Sequence, residues 1–114
     1  MTKSLDQQLL SEINQLHAEV CGALADPKRI AVLYALAQEP ESVMELASML
    51  DLPQATLSRH LKILRERGMV TAKRQGANIY YSLRDKRVID ALDILRQVLA
   101  EELSRRSTLA EAIA

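Results

Sequence analysis

Pro53 divides residues 42–67, S-V-M-E-L-A-S-M-L-D-L-P-Q-A-T-L-S-R-H-L-K-I-L-R-E-R, into two short helices that have to meet at a tight turn. Proline lacks the amide that a helix interior needs, but its φ suits a first turn. The first helix opens at Ser42. With Glu45 it forms S-x-x-E, a capping box in which each side chain accepts from the other residue's amide. Val43, Leu46, Ala47 and Leu50 follow at helical spacing and give one apolar face. The second helix, residues 53–67, turns Leu57, Leu61 and Leu64 inward, with Ile63 alongside.

The outer face of that second helix carries Gln54, Ala55, Thr56, Ser58, Arg59 and Lys62. Short hydrogen-bonding groups, a methyl and two cations can lie against base edges and phosphates in a major groove. A helix meant only for solvent more often alternates long acids and bases at four-residue spacing. Here Glu66, at the far end, is the only acid. Residues 42–67 therefore read as a helix-turn-helix with 53–67 as recognition helix. The plainer alternative is an ordinary helical hairpin.

A formal net charge of zero argues against nucleic acid only until the charges are placed along the chain. Residues 1–52 hold three Lys/Arg against eight Asp/Glu, residues 53–87 nine against two, and residues 88–114 three against five. The cations gather on the recognition helix and the segment after it, and local rather than total charge attracts phosphates.

Around this centre the chain reads as one domain, 1–114, mainly α. Residues 4–24 form an amphipathic helix with Leu5, Leu9, Ile13, Leu16, Val20 and Leu24 in one row. That is more aliphatic surface than the end of a small domain needs, and a helix of a second subunit would cover it. Asp26-Pro27 starts the next helix as N-cap and first turn. Gln38-Glu39-Pro40-Glu41 is a loop. After the C-cap Gly68 the period changes to two. Residues 69–83 read as a β-hairpin, a two-stranded wing with Lys73, Arg74, Gln75 and Asn78 at its tip. Asp85 caps a last helix whose Val88, Ala91, Leu92, Leu95, Val98, Leu99 and Leu103 again suit a helix–helix interface. Met44, Met49 and Met69 read as core filling, in a chain with no Trp or Phe.

No apolar run is long enough to span a membrane, and residues 1–8 lack a signal peptide's apolar segment. The lone Cys21 cannot form an internal disulfide, so the expected location is cytoplasmic.

A-L-A-D-P-K-R-I-A-V-L at 23–33, L-P-Q-A-T-L-S-R-H-L-K-I-L at 52–64, G-M-V at 68–70 and K-R-Q-G-A-N-I-Y-Y-S-L at 73–83 together resemble the ArsR/SmtB transcriptional repressors. The resemblance covers residues 12–104 in one register. It implies a homodimeric winged helix-turn-helix with helices 1 and 5 at the dimer interface, bound as a repressor to an imperfect inverted repeat in promoter DNA. Gln54, Thr56, Ser58 and Arg59 would face bases. Lys62 and the wing cations would hold phosphates. His60 stands where the family commonly places a histidine, and reads as a structural or phosphate contact.

Many such repressors release DNA on binding a metal, and the resemblance allows a comparison position by position. The family's C-V-C-D-L site lines up with Ser42-Val43-Met44-Glu45-Leu46, where both thiols are missing. Its last-helix site lines up with Asp85, Arg87, Val98 and Glu101, where both imidazoles are missing. A sulfur-sensing cysteine pair would need a thiol at Tyr34 and another on the last helix. No metal or cofactor is expected, and no inducer is named by these residues.

Cys21 lies four residues after His17, so the two can share a helix face. They read either as a redox thiol or partial metal site, making the protein a sensor, or as a small buried residue and its neighbour. The chain is not expected to be an enzyme, since it has no phosphate-binding Gly loop and no readable nucleophile–base pair. A winged-helix platform for protein–protein contacts, without sequence-specific DNA binding, is the alternative of another class. Salt-sensitive duplex binding separates the two.

Overall fold

Each helix begins or ends on a residue suited to it. The computed structural model describes residues 3–113: α1 (Gln7–Gln15), continuing into a π-helical turn (Leu16–Cys21), α2 (Pro27–Ala35), β1 (Glu41–Ser42), α3 (Val43–Leu50), α4 (Gln54–Glu66), β2 (Val70–Gln75), β3 (Asn78–Leu83) and α5 (Arg87–Ile113). Asp26 caps α2 by accepting from the Lys28 amide at 2.8 Å. Both bonds of the capping box at Ser42 form, Glu45 N to Ser42 Oγ at 3.2 Å and Ser42 N to Glu45 Oε1 at 3.3 Å. Asp51 ends α3 in the left-handed region at φ 52°, which short polar side chains tolerate. Pro53 stands just outside α4 as its N-cap.

Gly68 closes α4 with a Schellman motif. The Met69 amide reaches the Leu64 carbonyl at 2.8 Å and the Gly68 amide reaches that of Arg65 at 3.1 Å. The motif needs a left-handed residue at position 68, and Gly68 supplies φ +72°. The chain then turns straight into β2.

β2 and β3 pair antiparallel from Val70 opposite Leu83 to Gln75 opposite Asn78. The two residues between them are Gly76 and Ala77. Gly76 has φ +64°, as the first central position of a II′-type hairpin requires. The wing has a third strand that the two-stranded expectation lacked. Glu41, read as the end of a loop, and Ser42, read as a helix cap, pair with Tyr81 and Tyr80, giving the order β1-β3-β2. The pairing ties the wing to the start of α3.

The core is aliphatic and centred on the helix-turn-helix. Val32 and Leu33 from α2, Leu46 from α3, Leu57, Leu61 and Leu64 from α4, and Val70 from β2 are fully enclosed. Met69 joins them, whereas Met44 and Met49 are 67% and 55% exposed and do not fill the core as expected. Tyr81 packs against the same cluster. Leu61→Ala is expected to cost about 2–5 kcal/mol, because the neighbours close only part of the cavity. Urea unfolding measures this, and a loss under about 1 kcal/mol would place Leu61 outside the core.

The two end helices stand away from this core. α1 buries none of its residues, and Leu92 is the one buried residue of α5. The first turns of α5 are held by Leu92 and by the Tyr34 hydroxyl, which donates to Asp93 at 2.6 Å under the Arg96 guanidinium. The 27 residues of α5 run roughly 40 Å, leaving most of the helix free of the core. The radius of gyration is 18.2 Å, against about 13 Å for a compact chain of this length. Among the described residues no helix is long and apolar enough to cross a membrane.

Candidate nucleic-acid interface

The face of α4 opposite its buried leucines is bare. Gln54, Ala55, Ser58, Arg59 and Lys62 are exposed and Thr56 half-buried, while Leu57, Leu61 and Leu64 are enclosed. Among the described residues, no hydrogen bond or ion pair engages the side chains of Gln54, Thr56, Ser58, Arg59 or Lys62. Arg65, an exposed cation outside the set expected from sequence, is equally free. By contrast Arg87, Arg96, Arg105 and Arg106 all pair with acids. The helix therefore presents unspent donors at the positions where period 3.6 turns it away from the core.

The wing adds a second set. Lys73, Arg74, Gln75 and Asn78 are all exposed around the Gly76-Ala77 turn. Strand alternation sends Lys73 and Gln75 to one face and Arg74 to the other, so the tip carries a cation on each side. Lys73 lies opposite Tyr80 and Arg74 opposite Ile79.

His60 is placed differently from its neighbours. It is half-buried, and its Nδ1 lies 3.5 Å from Arg29 Nη1. A guanidinium only donates, so Nδ1 must be the unprotonated, accepting nitrogen. Arg29 and Arg67 are polar residues that the sequence reading passed over. Arg29 reaches backward to the end of the first helical arm, and Arg67 donates to the Ala18 carbonyl there. The D-P-K-R run carried a cap signal for Asp26, but nothing in its spacing pointed to a histidine 31 residues away.

His17 and Cys21 lie on the π-helical turn, and both are exposed. The burial considered for Cys21 is not seen in the single chain, where it is exposed although its neighbour Val20 packs against the core. Among the described residues, no three His, Cys, Asp or Glu side chains cluster as a metal site would need. At the start of α5, Asp85 accepts from the Arg87 amide at 2.9 Å and from the Arg87 guanidinium at 2.7–3.1 Å. The guanidinium, then the amide, hold the Asp85 carboxyl down at about 2.

Among the described residues, Glu41, nine-tenths buried on β1, is the one strongly raised acid. A shared hydrogen bond with Glu45, then burial, then the nearby charges of Glu45 and Glu39 push it up to about 7. Glu45 moves down, because protonated Glu41 donates to it and Ser42 binds it as well. A carboxyl raised on folding contributes its full stability below the ordinary value near 4.5 and loses it as pH rises through about 7. Thermal unfolding should therefore show the protein weakening between pH 5 and pH 8. In Glu41→Gln that slope should flatten, and the variant should gain about 1–2 kcal/mol at pH 8, Glu45's opposite shift cancelling part of the effect. An unchanged slope would mean that the two carboxyls do not share a proton.

A capped helix-turn-helix, a cationic β-wing beside it and a recognition helix with free donors define a winged helix-turn-helix protein. Comparison with known proteins agrees. Residues 26–72 match the family described as bacterial regulatory protein, arsR family. A transcriptional repressor SmtB homolog from Synechocystis is 39% identical over 87 residues, covering 76% of this chain and 61% of that protein. The transcriptional regulator Rv0081 of Mycobacterium tuberculosis is 38% identical over 98 residues, covering 85% of this chain and 86% of its own. The crystal structure of Rv0081 superposes with a TM-score of 0.74, covering 82% of this chain and 95% of that one. The homodimeric winged helix-turn-helix DNA-binding domain of Mb0332 from Mycobacterium bovis, at 27% identity, also gives 0.74 over 91% of this chain and 95% of that one. The chain belongs to the arsR family of bacterial regulatory proteins. It spans about three-fifths of the length of the Synechocystis relative.

Proposed function

We propose that the protein is a homodimeric transcriptional repressor that binds an imperfect inverted repeat in promoter DNA. The observation that carries this reading is the row of exposed, internally unpartnered side chains on α4, set back to back with three enclosed leucines. Gln54, Thr56, Ser58 and Arg59 read bases, and Lys62, Lys73 and Arg74 hold phosphates, with Gln75 and Asn78 at the wing tip. His60, its Nδ1 engaged by Arg29, has only its other edge to offer DNA.

The dimer follows from the arms. Leu9 and Ile13 on α1, Leu16 at the start of the π-helical turn, and Leu95, Val98, Leu99 and Leu103 on α5, are 42–61% exposed. A soluble monomer seldom leaves so much contiguous aliphatic surface in water. Pairing the arms of two copies about a two-fold axis buries these rows and sets the two α4 helices for major grooves about 34–36 Å apart. The named repressors and the homodimeric neighbour among the relatives support the same reading.

Titrating the purified protein onto labelled DNA from its own upstream region tests this. Saturation at two protomers per inverted repeat, with affinity falling steeply as salt rises, is expected. Binding of a protein partner with no preference for duplex DNA would favour the platform reading instead.

A further inference from the structure

Arg29 is nearly enclosed, with only 12% of its side chain exposed, and it faces three different elements. Its Nε donates to the Ala23 carbonyl at 2.7 Å and its Nη2 to that of Gly22 at 3.2 Å, both at the end of the first helical arm. Helix ends leave such carbonyls short of helical partners, and that of Gly22 otherwise accepts a long 3.4 Å bond from the Ala25 amide. Nη1 lies 3.5 Å from His60 Nδ1 on α4 and 4.0 Å from the Asp26 carboxylate that caps α2. One planar group thus joins the arm, α2 and the recognition helix.

A second cation fastens the same arm to the same helix. Arg67, the C-cap of α4, comes two turns after His60 and so follows it on the same side of the helix. Its guanidinium donates to the Ala18 carbonyl in the π-helical turn. Gly22 leaves its guanidinium room. A Cβ on Gly22 would stand 3.1 Å from Arg67 Nη1, although the backbone there is ordinary helix. The end of the arm is therefore held at two points along α4.

We infer that Arg29 is a positioning residue for the recognition helix, locking His60 and α4 to the arm so that dimer geometry sets where α4 enters DNA. The inference rests on the DNA-binding dimer proposed above. His60 then acts through Arg29 rather than as an independent contact to DNA.

The test is a double-mutant cycle on binding of the dimer to the inverted repeat from its own promoter, read by fluorescence anisotropy. Arg29→Lys keeps the charge and most of the stem, but one ammonium cannot span three acceptors in a plane. Arg29→Lys and His60→Gln are each expected to lose about tenfold in affinity, and the double variant about the same tenfold, because both break one joint. Gly22→Ala alters no charge and no DNA-facing group. By crowding the Arg67 guanidinium it is expected to lose a smaller factor of affinity in the same direction, and it serves if Arg29→Lys does not unfold cooperatively. Losses that multiply to about a hundredfold in the cycle would show His60 and Arg29 acting separately and overturn the inference. Unchanged affinity in Arg29→Lys and Gly22→Ala would do the same. If the wild type itself fails to bind the duplex, the DNA-binding reading falls and this inference with it.

Discussion

The double variant Leu95→Glu, Leu99→Glu is expected to sediment as a monomer and to lose affinity for its operator by roughly a thousandfold. The two leucines lie one turn apart on α5 and are 61% and 55% exposed in the single chain. Neither belongs to the core, which α5 enters through Leu92. The fold should therefore survive, with thermal unfolding close to that of the wild type. Burying four carboxylates in an aliphatic seam leaves charges without partners, so the dimer opens. A monomer then places one α4 in one half-site and forgoes the second set of contacts. If the variant remains dimeric and binds as before, α5 is not the seam.

Arg59→Ala is the second large effect. Arg59 is exposed and has no internal partner, so the folded state loses nothing measurable when it is truncated. A guanidinium bidentate to a guanine edge contributes about 1–3 kcal/mol of discrimination. The variant should thus bind its operator some tenfold or more weaker and tolerate any base at one position of each half-site. Lys73→Ala, at the wing, should act differently. It should weaken operator and unrelated duplex alike and reduce the slope of log K against log salt by about one per protomer. Equal loss of base preference in both variants would remove the distinction between reading helix and phosphate-holding wing.

Local rules carried much of the fold. The S-x-x-E box, the Pro53 break and the Gly68 cap each involve residues within five positions of one another, and each is realised by the bonds its type requires. The three leucines of α4 follow helical period, so the face opposite them was legible as well. What escaped depended on distance or on brevity. β1 is two residues long, too short for any period, and exists because β3, some forty positions later, offers it a partner. Met44 and Met49 share an apolar-looking helix with Leu46, yet α3 turns only part of its circumference inward. The π-helical turn widens an otherwise regular apolar row and leaves Cys21 in solvent, which spacing alone does not show. Arg29 and His60 meet only once α2 and α4 are packed. The direction in which the candidate site faces could thus be read from helical period, but the joint that orients it could not.

The measurement that bears most directly on the central proposal is a titration of the wild-type protein onto two duplexes of equal length, its own upstream inverted repeat and a scrambled version, across a salt series. Two protomers should bind the repeat, with affinity above that for the scrambled duplex by about a thousandfold or more near physiological salt, and both affinities should fall as salt rises. Equal affinity for the two duplexes at every salt concentration, or no binding to either, would contradict it.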